Sequence, residues 1–163
     1  MSSPTTQKVR KAIQKTLETV FCRVRLSTTQ TDLTNNTWTK VLLNVVDYDQ
    51  GKNFDVTTNN RFTVPVTGLY HIIASIEFTG VIATKRYKTG IYKNGASIRE
   101  VTKHSSVADN ITVDCSDYFY LQANDYIELY GYAEAGVSTV DILSGSKATI
   151  LAIYLVTKEG IRQ

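Results

Sequence analysis

The sequence predicts an all-β chain that folds as a sandwich or barrel of antiparallel strands. Short apolar runs recur at regular spacing after residue 20, separated by turn residues and without a helical pattern among them. Residue types that favour strands are abundant, including 10 Tyr and 5 Phe. Asn94 and Gly95 stand between two such runs, and Asn-Gly is the strongest short hairpin signal. The 163 residues are enough to bury one hydrophobic core.

A short helix is predicted before the strands, over residues 7–20. Val9, Ile13, Leu17 and Val20 form one apolar stripe at helical spacing, and basic side chains occupy the opposite face. A helix of this length is marginal in isolation, so it needs a partner. It serves as an anchor or stalk, or it packs on its own chain, or it frays.

The predicted strands follow one another closely, and we justify them by their apolar alternation and by the turn residues between them. Trp38 is expected to anchor the core from the second strand. The strands 111–121 and 126–134 are expected to pair with each other across a short turn, and 135–146 is expected to be a loop. In order, the predicted strands are 21–27, 38–46, 54–58, 61–64, 69–80, 86–92, 97–106, 111–121, 126–134 and 147–157.

The stretch 61–74 is the centre of this prediction. Pro65 removes a backbone donor and ends one strand, and Gly68 offers the backbone freedom that a tight turn often needs. The run from Leu69 to Phe78 is apolar on both faces, so we expect a central strand that is buried on both faces.

The last strand is also apolar on both faces. Ile150, Ala152 and Tyr154 share one face by the period of two, and Leu151 and Ile153 share the other. Only one face of a sandwich strand points into the core, so the second face needs a cover, and a second copy of the chain is the simplest one. The alternative is that the N-terminal segment covers it.

Phe62, Pro65, Gly68 and Tyr70 resemble the signature of the globular head of complement component one, subcomponent q. The resemblance extends from about residue 21 to 157 and includes 121–127 and 148–156. It implies a jelly roll of two antiparallel sheets, shared with the tumour necrosis factors and assembled as a homotrimer. The implied divisions are a basic tail and helix at 1–20, a head at 21–157 and a C-terminal tail at 158–163. The implied trimer interface includes Tyr70, Ile72, Ile150, Ala152 and Tyr154.

The resemblance is closest to the microbial and bacteriophage branch of this family. It implies a non-enzymatic virion surface protein, namely a capsid decoration, a head fibre or a tail-fibre or spike head, which acts in structural assembly or host attachment. Its expected partners are other copies of itself, capsid or tail proteins, and a host surface glycan or protein. The alternative is a bacterial lectin-like trimer, secreted or bound to the cell surface. The residues expected to dock the trimer on a particle are Lys8, Arg10, Lys11 and Lys15.

Basic and aromatic side chains interleave on the strand before the Asn-Gly turn, and three tyrosines share a face of 126–134. Such surfaces bind a base, a sugar or an acidic partner, although cross-strand packing alone also produces them. No nucleic-acid partner is expected. The predicted ligand surface comprises Lys85, Arg86, Tyr87, Lys88, Tyr92, Tyr126 and Tyr130.

The sequence offers little for catalysis or metal binding. His71 and His104 stand in no nucleophile motif, so neither an enzyme nor a cofactor is expected. Asp47 and Asp49 are weak calcium candidates, with Asp55 nearby, and solvated turn aspartates are the default interpretation.

Two further expectations concern redox state and location. Cys22 and Cys115 are expected to be free buried thiols, because two cysteines do not make a disulfide framework. No apolar run approaches the roughly 18 residues that a membrane span requires, and the polar start lacks the apolar stretch of a signal peptide.

Overall fold

The computed structural model describes residues 3–7, 19–134, 136 and 139–160. Residues 4–7 form a helical turn, closed by the Gln7 amide donating to the Ser3 carbonyl. The rest of the described chain is built on strands. They are β1 Phe21–Arg25, β2 Trp38–Lys40, β3 Val45–Asp49, β4 Phe54–Asp55, β5 Arg61–Thr63, β6 Gly68–Thr79, β7 Arg86–Lys93, β8 Ala96–His104, β9 Ile111–Leu121, β10 Tyr126–Ala133, β11 Asp141–Ile142 and β12 Ile150–Lys158.

The strands form two antiparallel sheets, as predicted. Sheet A has the order β11-β6-β12-β1-β3. One edge of β6 pairs with β12 and, at its end, with β11, and the other edge pairs with β9. Sheet B has the order β4-β5-β10-β7-β8, and β2 also pairs with β10. The core lies between the two sheets.

The central strand β6 buries one face only. Its side chains alternate between buried and half-buried along all 12 residues. Tyr70 and Ile72 point into the core and are fully buried, whereas His71 and Ile73 point outward. The prediction of burial on both faces is therefore wrong for a single chain. The placement of Tyr70 and Ile72 in a trimer interface is wrong for the same reason, because neither side chain reaches the surface.

The spacing of Phe62, Gly68 and Tyr70 has a packing explanation. The rings of Phe62 and Tyr70 meet in the core with centroids 6.5 Å apart, and the Tyr70 hydroxyl donates to the Val66 carbonyl at 2.7 Å. A Cβ on Gly68 would lie 2.3 Å from the carbonyl oxygen of Thr157. Gly68 is thus required by the close approach of β12, beside a bulge in that strand, and not by the turn freedom expected from the sequence.

The predicted strand 38–46 is divided between the two sheets. β2 pairs with β10 in sheet B, and β3 pairs with β1 in sheet A. Between them the Val41 amide donates to Leu129 and the Asn44 amide donates to Arg25, so the backbone changes partner sheet within four residues. Trp38 is half-buried and lies on the outer face of sheet B, so its prediction as a core anchor is wrong.

The expected pairing of the strands 111–121 and 126–134 is also wrong. β9 pairs with β6 in sheet A, whereas β10 pairs with β2, β5 and β7 in sheet B. The short connection crosses from one sheet to the other, with Asn124 at a φ of 74°. The expected loop 135–146 contains β11, which pairs with the end of β6.

The Asn-Gly hairpin is confirmed. β7 and β8 pair up to Lys93 and Ala96 and leave a two-residue loop. Asn94 and Gly95 both have positive φ, at 53° and 80°, which a type I′ turn requires at its two central positions.

The close approach at Gly68 generates a stability prediction. Gly68→Ala should lower the free energy of unfolding by about 1–3 kcal/mol, because the added methyl group has to displace the backbone of β12. Urea unfolding followed by circular dichroism measures the change. Thr102→Ala on the exposed face of β8 is the control and should stay within about 0.5 kcal/mol of the parent chain. Equal stabilities for the two variants would contradict this explanation of Gly68.

Candidate functional site

A row of aromatic side chains crosses the outer face of sheet A. Tyr118 on β9, His71 on β6, Tyr154 on β12 and Phe21 on β1 are successive cross-strand partners. The rings of His71 and Tyr118 stack with centroids 4.4 Å apart, and His71 Nδ1 lies 2.5 Å from the Tyr154 hydroxyl. Phe21 in turn meets Tyr48 of β3 edge to face at 5.5 Å. We call the set Tyr118, His71, Tyr154 and Phe21 the aromatic row.

Much of this surface is exposed to solvent in the single chain. Tyr118 is 56% exposed, Tyr120 54% and Val156 47%. Ile73 and Ala152 lie opposite each other beside the aromatic row and are half-buried. Exposed aromatic and aliphatic side chains that adjoin one another on one face indicate an interaction surface.

The structure places three of the five predicted interface residues on this face. Tyr154 belongs to the aromatic row, and Ile150 and Ala152 precede it on the outward side of β12. Tyr70 and Ile72 belong to the core, as described above. Their outward neighbours on β6 are His71 and Ile73.

A second group of aromatic side chains lies on the outer face of sheet B. The ring of Trp38 is 5.8 Å from Tyr92 and 5.5 Å from Tyr132, and Tyr92 is 4.2 Å from Tyr130, measured between centroids. All four rings are half-buried, so each keeps part of its surface in solvent. We call Trp38, Tyr92, Tyr130 and Tyr132 the aromatic patch.

Charged groups of both signs adjoin the aromatic patch. The ammonium of Lys88 lies 4.8 Å from the centroid of Tyr132 and 5.8 Å from that of Trp38, within the range of cation–π contacts. Lys40 forms an ion pair with Glu128, whose side chain is nearly buried between Tyr126 and Tyr130 along β10.

The predicted ligand surface is divided by the structure. Lys88, Tyr92 and Tyr130 belong to the aromatic patch or adjoin it, and Tyr126 lies further along β10 under the guanidinium of Arg61, which is 4.3 Å from its ring centroid. Tyr87 is fully buried, with its ring 5.5 Å from Phe78 and its hydroxyl 2.8 Å from the Ile82 amide. Its placement on a ligand surface is therefore wrong.

Lys85 and Arg86 are bound to an acidic partner within the chain. Arg86 Nε donates to Glu134 at 2.9 Å, and Lys85 Nζ lies 3.5 Å from the same carboxylate. The hydrogen bond from Arg86 lowers the pKa of Glu134, and Glu134 raises the pKa of the guanidinium. This cluster lies at the end of β7 away from the hairpin and is separate from the aromatic patch.

The aspartates considered for calcium are engaged within the chain. Asp47 forms ion pairs with Arg23 and Arg25, and Asp49 accepts from the Phe54 amide. Asp55 accepts from the amides of Thr57 and Thr58, and these hydrogen bonds keep its pKa below its usual range. Within the described residues, no three His, Cys, Asp or Glu side chains come together as metal ligands would.

The expected docking residues Lys8, Arg10, Lys11 and Lys15 lie outside the described residues. The described part of the chain also contains no helix with the length and hydropathy of a membrane span.

The sequence did not group Trp38 with Tyr92 and Tyr132, because they come from three separate strands. The one available signal was that two polar residues, Thr39 and Lys40, follow Trp38 directly, which is more typical of a solvent-facing segment than of a core strand.

Both thiols are free and buried, as predicted. Cys22 on β1 and Cys115 on β9 are separated in sheet A by β12 and β6, too far apart for a disulfide. Burial, and after it the charge of Asp49, raises the pKa of the Cys22 thiol to about 12. Burial raises the pKa of the Cys115 thiol to about 11, against a smaller opposing effect of Arg99. Neither environment is that of an activated nucleophile.

Comparison with solved structures identifies the fold. The crystal structure of murine APRIL at pH 5.0 aligns with a TM-score of 0.65 and 12% identity, over 85% of this chain and 100% of that one. The globular domain of the zebrafish complement 1qA protein aligns with a TM-score of 0.62 and 17% identity, over 85% of this chain and 98% of that one. No protein-family model and no curated protein sequence matches the chain.

These alignments confirm the predicted fold class. The chain is an all-β jelly roll of two antiparallel sheets, of the type shared by the tumour necrosis factors and the complement head. At these identities the likeness concerns the fold alone.

The buried thiols generate a prediction about reactivity and pH. Iodoacetamide should leave Cys22 and Cys115 unmodified in the folded chain at about pH 8.5, the ordinary thiol pKa, and modify both in urea. Because the pKa values are raised on folding, the unfolded chain ionises first, so the stability due to these thiols should fall as pH rises above about 8.5. Mass spectrometry and urea unfolding measure the two effects.

The control is the double variant Cys22→Ala and Cys115→Ala, which should lose less stability than the parent between about pH 8.5 and 9.5. Rapid modification of either thiol without denaturant would show that its environment differs from the one described.

Proposed function

We propose that the chain is a non-enzymatic binding module that assembles as a homotrimer through the outer face of sheet A. The aromatic row carries this proposal, because it places two exposed tyrosines, a histidine and a phenylalanine across four neighbouring strands of one face. Ile150, Ala152 and Tyr154 are the proposed interface residues on β12. The families that share this fold form trimers, which favours three copies over two.

Burial of this face by a second copy is favoured by its chemistry. At the end of the sheet near Tyr120 and Val156 the face is apolar or aromatic, and the hydrophobic effect rewards its removal from water. At the other end, Ser75 pairs with Asp114 and Arg25 pairs with Asp47, so the polar groups have partners within the chain. An apolar region beside polar groups that already have partners is suited to burial in a protein interface.

The finer proposal is a virion surface protein, as capsid decoration, head fibre or tail-fibre or spike head. It is supported by the resemblance to the microbial and bacteriophage branch and by the basic N-terminal segment. In this proposal Lys8, Arg10, Lys11 and Lys15 dock the trimer on the particle. Three sites on one axis would then bind a repetitive host surface more tightly than one site does.

The alternative function is a bacterial lectin-like trimer, secreted or held at the cell surface. The aromatic patch on sheet B favours it, since half-exposed rings beside charged groups suit a carbohydrate as well as a protein. Both proposals use the same trimer. They differ in whether the chain is found in a sedimenting particle.

The proposed interface is tested by Ala152→Glu. The carboxylate would be buried in the trimer, where an introduced charge costs several kcal/mol, because its neighbour Arg23 is already paired with Asp47. In the single chain it would lie at the surface in contact with water. Light scattering should show a chain of 18.2 kDa in place of the trimer, with an unchanged circular dichroism spectrum.

The matched control is Ala96→Glu at the exposed start of β8 in sheet B. This variant should keep the mass of the parent. If Ala152→Glu also kept it, the interface would lie elsewhere.

The docking proposal is tested by replacing Lys8, Arg10, Lys11 and Lys15 with glutamine in the full chain. Loss of the positive charge should reduce incorporation of the trimer into the particle, measured by co-sedimentation, and should leave the trimer mass unchanged. Replacement of Lys85 and Lys93 with glutamine is the control for loss of positive charge elsewhere, and it should leave incorporation unchanged. Undiminished incorporation of the first variant would remove these residues from the proposal.

A further inference from the structure

We propose that the aromatic patch on the outer face of sheet B is a binding site for a neutral, linear oligosaccharide. This inference rests on the proposed binding function and deepens it by naming the site and the ligand class. The site combines Trp38, Tyr92, Tyr130 and Tyr132 with the ion pair of Lys40 and Glu128.

Gly90 allows the four rings to form one surface. It faces outward on β7 between Lys88 and Tyr92, and a Cβ there would lie 2.9 Å from Trp38 Cζ3 and 3.0 Å from Tyr92 Cε2. Because there is no side chain at this position, the indole of Trp38 reaches from β2 across β10 as far as Tyr92 of β7. The result is a continuous platform of rings, because Trp38 also contacts Tyr132 and Tyr92 contacts Tyr130.

The ion pair of Lys40 with the nearly buried carboxylate of Glu128 is the second observation. Glu128 is only 6% exposed although it lies on the outward side of β10, and it is paired with Lys40. An ion pair whose carboxylate is removed from water gives little net stability compared with apolar residues of the same size. It does supply a fixed acceptor and a fixed donor at the edge of a set of aromatic rings. Sugar hydroxyls require both kinds of group.

The charges argue against the other ligands that aromatic surfaces bind. A ligand cation would compete with Lys88, whose ammonium already lies over Tyr132. A nucleic-acid backbone would approach the exposed carboxylate of Glu100, which is the cross-strand partner of Gly90. A neutral sugar meets neither obstacle, because it presents apolar C–H groups to the rings and hydroxyls to the ion pair.

The direction of β10 suits a linear chain of sugars. Tyr126, Glu128, Tyr130 and Tyr132 follow one another along its outward side. With about 3.4 Å of rise per residue, Tyr126 and Tyr132 are separated by about 20 Å. Tyr126 keeps an adjacent guanidinium, that of Arg61, as a further hydrogen-bond donor. The platform also faces away from sheet A, so a trimer would present it on every subunit.

The experiment uses Trp38 as a probe, because it is the one tryptophan in the chain. The full chain is first applied to an array of defined neutral and acidic oligosaccharides. Each ligand found there is titrated in solution while the tryptophan emission and its quenching by acrylamide are measured. A neutral oligosaccharide should shift the emission to shorter wavelength and protect Trp38 from acrylamide, since it covers the indole.

The variant Tyr132→Ala should weaken this binding about tenfold or more, which is the loss of about 1.4 kcal/mol of ring contact. Val107→Ala is the control and should bind as the parent does, since it removes an exposed apolar side chain that belongs neither to the aromatic row nor to the aromatic patch. If Tyr132→Ala does not fold, the acrylamide protection of the parent chain tests the site without any variant.

Three results would overturn the inference: no neutral oligosaccharide bound on the array, binding of acidic ligands only, or binding without any change at Trp38. The proposed trimer is judged separately, by mass. A chain of trimer mass that binds no neutral sugar contradicts this inference and leaves the trimer standing. Conversely, the Ala152→Glu chain should still show the Trp38 response at each site, because the platform lies on the other sheet.

Discussion

The pairing of β6 along both of its edges is the constraint on which the rest of the structure depends. With β9 on one side and β12 and β11 on the other, its backbone hydrogen bonds are satisfied within sheet A, and only its two faces remain to be covered. Sheet B covers the face that contains Tyr70 and Ile72. The opposite face contains His71 and Ile73, and the same pairing aligns Tyr118 and Tyr154 beside them. The aromatic row is thus a consequence of the register of β6.

The sequence predicted those features that depend on local chemistry. The all-β class, the Asn94-Gly95 hairpin and the free buried thiols were predictable from composition and turn residues, whereas the two-sheet jelly roll was implied by the resemblance to the complement head. Strand partners were not predictable, because the period of two indicates a strand without indicating its neighbour. The prediction that β9 and β10 form a hairpin failed for this reason. The phase of β6 was equally ambiguous. When both faces are apolar, the sequence does not distinguish the core residue Ile72 from the surface residue Ile73.

The two outward faces of the sandwich have different chemistry. The face of sheet A is aromatic and aliphatic and is the surface that we assign to self-association. The face of sheet B combines rings with the ion pair of Lys40 and the nearly buried Glu128, and Trp38 completes it only because Gly90 leaves room for the indole. Residues 38, 92 and 132 are distant in sequence, so this patch depends on tertiary structure. The separation allows one chain to assemble through one sheet and to bind a ligand on the other.

Sedimentation equilibrium of the full chain, beside a chain that begins at Phe21, tests the central claim most directly. If the outer face of sheet A holds the assembly together, both chains should have the mass of three copies, which for the full chain is three times 18.2 kDa. A trimer that requires residues 1–20 would transfer the assembly to the N-terminal segment. A monomer for the full chain would contradict the account, because the aromatic row would then remain in water.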